Sequence, residues 1–267
     1  MNLPGAPASL RESFSARPPA SLLRFQRGSV LGALFKWLAL SALALVLLSC
    51  LAVLMLRWVP PFSSAFMLEA RIHATLAGNS RYRTDFEWVN LEQISPNAAV
   101  AVIASEDQQF PFHAGFDFKS IRESVRASEH GKKLRGASTI SQQVAKNLFL
   151  WPGGFVRKAF EAYFTVLIET CWPKRRILEI YLNIAEFGFG IYGAEAAAQH
   201  FFHKPAAHLT RSDAAILAAV LPSPEHYSAS QLSPYVQRRR EWILEQMQAL
   251  GGPEMLNEID AYPTSRH

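Results

Sequence analysis

No charged residue occurs between Trp37 and Leu56, a stretch dominated by Leu, Ala and Val. An apolar run of roughly 20 residues is what a helix needs to cross the ~30 Å hydrocarbon core of a bilayer, so the pattern predicts one transmembrane helix over 37–56. The apolar core of a cleaved signal peptide is shorter, about 7–15 residues, and the longer run favours an uncleaved anchor. Trp58 suits a membrane interface, and Pro60-Pro61 stops the helix on the far side. Residues 1–36, rich in Pro, Ser and Arg, read as a disordered cytoplasmic tail. Residues 57–90 mix apolar and basic positions without a clear period and form a membrane-proximal segment.

From about residue 91 to 250 the pattern becomes helical, with 251–267 left as a C-terminal tail. Ser95-Pro96 is a helix start, Ser as N-cap and Pro at the first helical position. The predicted helix, Asn97 to about Asp107, is small and apolar and ends on two carboxylates. Thr139 with Gln142, and Thr210 with Asp213, have capping-box spacing. Further helices are predicted over 156–172, 174–187, 194–202, 211–221 and 235–250, the last two stopped by Pro222 and Gly251. Strand signals are scarce, so the soluble part is expected to be all-α.

Composition narrows the class. The chain has 267 residues, 49% of them hydrophobic, which suffices for one well-buried domain and one membrane segment. Of the net charge of +5, the tail of residues 1–36 carries an excess of four. The remainder is close to neutral, so nucleic acid is not an expected partner. Basic residues before the span and only Arg57 close after it put the N-terminus in the cytoplasm and the domain outside. Cys50 and Cys171 fall in different compartments, and no CxxC spacing occurs, so neither a disulfide nor a cysteine metal site is expected.

Four segments carry candidate chemistry. The first runs from Glu106-Asp107 through Phe110 and His113 to Asp117. A carboxylate shielded from water has a raised pKa suited to proton transfer, whereas a solvated helix end would make the same pair inert. Carboxylates are disfavoured by the dipole at a helix C-terminus. The second is Gly136 to Asn147. Ile140, Val144 and Leu148 form an apolar stripe; Thr139, Gln142, Gln143, Lys146 and Asn147 gather on another face. The open helix N-terminus and Lys146 suit a sugar or pyrophosphate better than plain solvation does. In the third, Arg157 and Lys158 lie four and three residues before Glu161, either a surface ion pair worth roughly 0.2–0.5 kcal/mol or a pyrophosphate site. The fourth, Ile177 to Ala198, is architectural in character, with Asn183 and Tyr192 as candidate sugar contacts.

In this order the segments resemble the peptidoglycan glycosyltransferase (transglycosylase) family. The resemblance rests on ED-Q-Q-F-P-F-H-A-G-F-D, G-A-S-T-I-S-Q-Q-V-A-K-N, R-K-A-F-E and I-L-E-I-Y-L-N, with a fifth block over 209–224, and covers about Trp88 to Pro224. It implies a lysozyme-like, two-lobed helical domain without a transpeptidase domain, the monofunctional form. It implies that Glu106 is the general base and that Glu161 holds the catalytic geometry and the pyrophosphate. Substrate contacts are expected from Asp107, Phe110, His113, Ser138, Thr139, Gln142, Gln143, Lys146, Asn147, Arg157, Lys158, Asn183 and Tyr192. The implied reaction polymerises lipid II into β-1,4-linked glycan with release of undecaprenyl pyrophosphate.

The implied setting is a bacterial inner membrane with the domain on the periplasmic side, in contact with lipid, the growing lipid-linked strand and other cell-wall synthesis or division proteins. No cofactor is required, and a divalent cation, Mg or Mn, is admitted. The loop 151–156 departs from the family pattern in lacking a cation, which leaves Lys146, Arg157 and Lys158 to meet the donor phosphate. Phe62, Phe66, Met67, Leu68, Phe149, Leu150 and Trp151 are candidates for bilayer contact or for ordinary core packing. A glycan hydrolase, which needs an acid for a poor leaving group, and a non-catalytic scaffold are the rival readings.

Overall fold

A computed structural model describes residues 21–120, 122, 126 and 138–261. Residues 1–20 of the basic tail, Gly136 and Ala137 of the second block, and 262–267 lie outside the described residues. The apolar run forms helix α1 (Ser21–Leu56), of which Val30–Leu56 is long and apolar enough to cross a membrane. At 1.5 Å per residue this stretch spans about 40 Å, and most of its apolar side chains are exposed, whereas Val53 near its end is buried in the core. The helix begins within the predicted disordered tail: residues 21–36 continue the apolar span as regular helix, because the basic positions Arg24, Arg27 and Lys36 are good helix formers.

From Leu51 onward the chain is one compact unit. Its first element, α2 (Ala65–Leu76), starts on Ser64, whose side chain accepts from the Met67 N–H. The sequence pattern did not predict this helix, because its buried Met67 is a single position rather than a stripe. Helix α3 (Pro96–Glu106) follows, with Ser95 as N-cap and Pro96 at the first position as predicted. Ala98 to Ala104 are buried without a break, which makes α3 a central helix covered on all sides. Its small side chains let α8 (Arg211–Val220) and α9 (Pro234–Ala249) pack closely against it. A second group is built on α4 (Ile140–Phe149), which packs on α5 (Phe155–Cys171), α6 (Lys174–Ile184) and α2. The predicted stripe of Ile140, Val144 and Leu148 is buried there. Helices α7 (Ala194–Phe202) and α10 (Leu256–Ala261) follow in the chain, and residues 118–120, 122 and 126 are also helical.

Among the described residues three short strands interrupt the helical expectation. β1 (Asp85–Phe86) runs parallel to β3 (Ile191–Tyr192), and β2 (Glu186–Gly188) pairs antiparallel with β3 through an irregular register. Helix α6 therefore ends at Ile184, three residues before the predicted Phe187. Gly193 explains the tight junction: its φ is +88°, and a Cβ there would lie 2.6 Å from the Asn183 carbonyl oxygen.

The end of α1 is tied into the compact unit by its own carbonyls. Trp172 Nε1 donates to Val53 O at 2.7 Å, and Arg176 donates to Leu56 O and to Val59 O at 2.8 Å. A cation on the orphan carbonyls of a helix C-terminus both satisfies hydrogen bonds and complements the dipole.

Candidate active site

Glu106 ends α3 beside α4, α6 and α9. Gln143 Nε2 donates to Glu106 Oε2 at 3.0 Å, and Tyr181 OH donates to Gln143 Oε1 at 3.2 Å. The ionised carboxylate can only accept, so Gln143 presents its NH2 group to it, and the amide oxygen left on the other side accepts from the tyrosine hydroxyl. Burial raises the Tyr181 pKa, reinforced by the Glu106 and Asp107 charges, and so keeps the phenol a donor. Burial likewise raises the Glu106 pKa, against opposing effects of the Gln143 hydrogen bond and the Arg239 and Lys146 charges. Glu106 Oε1 has no hydrogen-bond partner among the described residues. The result is a half-buried carboxylate, held by one oxygen, with the other available.

Asp107, next along, is spent on structure. Both of its oxygens lie 3.0 Å from His113 Nε2, and Oδ2 also accepts from the Ile140 N–H at 3.0 Å. His113 Nδ1 accepts from the Gly115 N–H, so the ring proton sits on Nε2 and is donated to Asp107. Gly115 is required at this point: its φ is +86°, and a Cβ would lie 2.6 Å from Thr165 Cγ2. Its carbonyl accepts from Thr139 Oγ1 at 2.7 Å. A buried chain of Lys174, Glu169 and Ser141 backs the loop, with Lys174 Nζ also donating to His113 O at 2.6 Å. Burial lowers the Lys174 pKa.

These bonds correct the expected role of the α4 N-terminus. It does not stand open for a phosphate, because Asp107 takes the Ile140 N–H and Thr139 Oγ1 takes the Gln142 N–H in a complete capping box. Thr139 and Gln142 are buried in that box, and Phe110 is fully buried in the core. Asp107, Phe110, His113, Thr139 and Gln142 thus build the site rather than line it. Ser138 is exposed just before α4. Asn147 keeps a buried Oδ1 without a hydrogen-bond partner among the described residues.

One helical turn beyond Gln143, Lys146 lies half-buried, its Nζ 5.3 Å from the centre of the Phe66 ring. Burial lowers its pKa; the charges of Glu161 and Glu106 act in the opposite direction, and those of Arg157 and Lys158 in the same one. Lys146 therefore stands within electrostatic reach of both glutamates. On α5 the two oxygens of the buried Glu161 are taken separately, Oε2 by Arg157 and Oε1 by Lys158. The predicted spacing of four and three produces this clamp. The loop before it, from Trp151 to Val156, is exposed and carries no cation.

Two expected sugar contacts are not available. Asn183 is fully buried, donating to Val89 O and Glu179 O and accepting from the Val89 N–H, so it ties the segment after β1 to α6. Tyr192 is buried in β3. Conversely, the sequence reading missed Arg239. From α9 it donates to Ser105 O at 3.0 Å, lies 4.6 Å from the Trp242 ring centre, and opposes the burial of Glu106 by its charge. The only signal was three consecutive arginines on a predicted helix, with no spacing to single one out. Both oxygens of Glu161 are taken by cations, and among the described residues no group of three or more His, Cys, Asp or Glu side chains is placed to hold a metal ion.

A half-buried helix-end carboxylate whose pKa is raised by burial and which feels the charges of Lys146 and Arg239, on a lysozyme-like helical domain, is the arrangement of a transglycosylase. The sequence profile of the transglycosylase family matches residues 72–248, and the chain belongs to that family. Over 200 residues it is 56% identical to the biosynthetic peptidoglycan transglycosylases of Shigella boydii serotype 4 and of Escherichia coli strain Crooks, covering 74% of this chain and 82% of each relative.

Proposed function

We propose that this chain polymerises lipid II, with Glu106 as the general base. Family membership makes it a glycosyltransferase of peptidoglycan synthesis. Glu106 Oε1 takes the proton of the acceptor GlcNAc 4-hydroxyl as that oxygen attacks the anomeric carbon of the donor MurNAc. The α-linked pyrophosphate leaves and a β-1,4 bond forms, with inversion. A pyrophosphate needs charge neutralisation rather than a proton to depart, and Lys146, Arg157 and Lys158 supply it. Glu161 holds the last two in place. No step requires a metal held by the protein. A divalent cation, where one takes part, would travel with the substrate's own phosphates.

Both substrates carry long lipid tails, which accounts for the anchor helix, and we place the N-terminus in the cytoplasm and the domain outside. Leu68, Ile72 and Leu76 recur every four residues on α2 and are exposed, as are Phe62, Trp151, Phe155 and Val156. Patches of this kind mark a partner surface, here the bilayer. Met67 and Leu150 are buried in the protein and take no part; Phe149 stacks on Phe164 at 4.5 Å.

The observation that carries the reading is the shielded Glu106 with one oxygen free and Lys146 alongside. The experiment is a gel assay of the purified full chain with lipid II in detergent, wild type beside Glu106→Gln. A glycan ladder from the wild type alone is expected. Polymer from both would remove Glu106 from the role of base, and bound lipid II without polymer from either would favour a scaffold.

A further inference from the structure

A cleft of about 640 Å³ opens at the strand-bearing corner of the domain, between the segment leading into β1, the β2–β3 turn, the end of α7 and the stretch after α8. None of its lining residues belongs to the Glu106 site. Its floor is rigidly built. A Cβ on Gly190 would lie 2.6 Å from Arg83 O, and one on Gly188 would lie 2.9 Å from the Phe201 ring. The hollow is therefore framed by backbone at closest approach and is not a gap left by a loosely packed loop.

Phe189 stands at the turn between those glycines. It is 62% exposed while its neighbours Phe187, Gly188, Gly190 and Ile191 are buried, and Tyr82 braces it edge-on at 5.3 Å. On the other wall Tyr227 is stacked on Tyr235 at 4.5 Å. Aromatic rings fixed by protein contacts yet open to water offer platforms for the apolar face of a sugar ring, large contact area at low entropic cost.

The polar groups around them are of both signs. Arg81 and Arg83 are exposed and their guanidinium groups have no ion pair or hydrogen bond among the described residues. His200 and His226 face the same hollow, and Asp85 and Glu225 add carboxylates. A polyphosphate would meet those two carboxylates, and an apolar ligand would bury all of these polar groups unpaired. A saccharide bearing hydroxyls and N-acetyl amides, with carboxylates on an attached peptide, can use each of them, the guanidinium groups being suited to bidentate carboxylate binding.

We propose that this cleft is a second saccharide site, which holds a stretch of N-acetylated glycan, with the carboxylates of its attached peptides, away from the reacting carbons. The proposal rests on the polymerase reading in one respect: the glycan meant is that enzyme's product. Retaining it here would raise the local concentration of the strand and lengthen the polymer made per encounter.

The test uses the full chain in detergent, titrated calorimetrically with lipid-free disaccharide-peptide released from peptidoglycan by a muramidase. Glu106→Gln is expected to bind it as the wild type does. Phe189→Ala and Arg83→Gln, both exposed and so safe for folding, are expected to weaken it about tenfold, as loss of one central contact does. They should also shorten the glycan made from lipid II without changing the initial rate. Equal affinity in wild type and both variants would overturn the proposal. So would equally tight, Phe189-dependent binding of the sugar-free peptide, which would make the ligand a peptide. A wild type that binds the fragment through Phe189 but makes no polymer would leave the cleft standing and sink the polymerase reading.

Discussion

Glu106 and Glu161 belong to helices packed in the same domain, and Lys146 feels the charge of both. Their surroundings differ in kind. Among the described residues the one hydrogen-bond donor to Glu106 is a neutral amide, itself held by a neutral phenol, and burial raises the pKa. Around Glu161 two cations occupy the two oxygens. Glu106 can accept a proton because its water has been partly removed without being replaced by a full charge at contact distance. Glu161 cannot, because neither oxygen is free; what it can do is hold two cations side by side, where a pyrophosphate would find them. Environment, more than residue type, divides the labour.

The sharpest way to break this contrast is to neutralise each glutamate in turn. Glu106→Gln should lower the polymerisation rate by at least ~10²–10⁴, the usual worth of a positioned general base. It should also change stability with a definite sign. A carboxylate whose folded pKa is raised binds protons more tightly in the native state, so its destabilising effect is absent below the unfolded pKa and grows as pH rises through the folded one. Thermal melting should therefore find the variant more stable than wild type at neutral pH, the gap closing on acidification. A variant less stable at neutral pH would mean that Glu106 is a structural residue.

Glu161→Gln should have a smaller effect of another kind. Removing a charge-assisted partner from Arg157 and Lys158 is worth about 1.5–3 kcal/mol, or roughly 10–100-fold in kcat/KM for lipid II. The acid limb of the pH–rate profile should stay where it is, because the titrating base is untouched. Loss of that limb in Glu161→Gln, with its retention in Glu106→Gln, would exchange the two roles.

Much of this contrast was legible in the sequence. The spacing of Arg157, Lys158 and Glu161 dictates their pairing on any helix, and both capping boxes and the α3 start depend on neighbours within a turn. Long-range placement was not legible. Nothing local says that Asp107 would take the first N–H of α4, which closed the expected phosphate site. Asn183 could not be told from a sugar ligand until the backbone at Val89 arrived beside it. Helix α2 went unseen because only one of its side chains is buried, so no stripe marks it. The short strands were hidden because each is set by a partner far along the chain, as β1 is by β3.

Arg239 offers the finest test of the two environments. Its guanidinium holds the carbonyl of Ser105, one residue before Glu106, and its charge opposes the effect of burial on that carboxylate. The other groups acting on Glu106 are Asp107 from its own segment, Gln143 and Lys146 from α4, and Tyr181 from α6. With Arg239→Gln the positive charge goes and the remaining balance raises the Glu106 pKa further. A base must be ionised to act, so the acid limb should move to higher pH while the plateau rate above it changes little. Arg239→Lys, which keeps the charge, should restore the limb. If both variants lower the plateau equally and leave the limb in place, Arg239 acts only by packing α9 against α3, and the pKa of Glu106 is set by burial and its α4 neighbours alone.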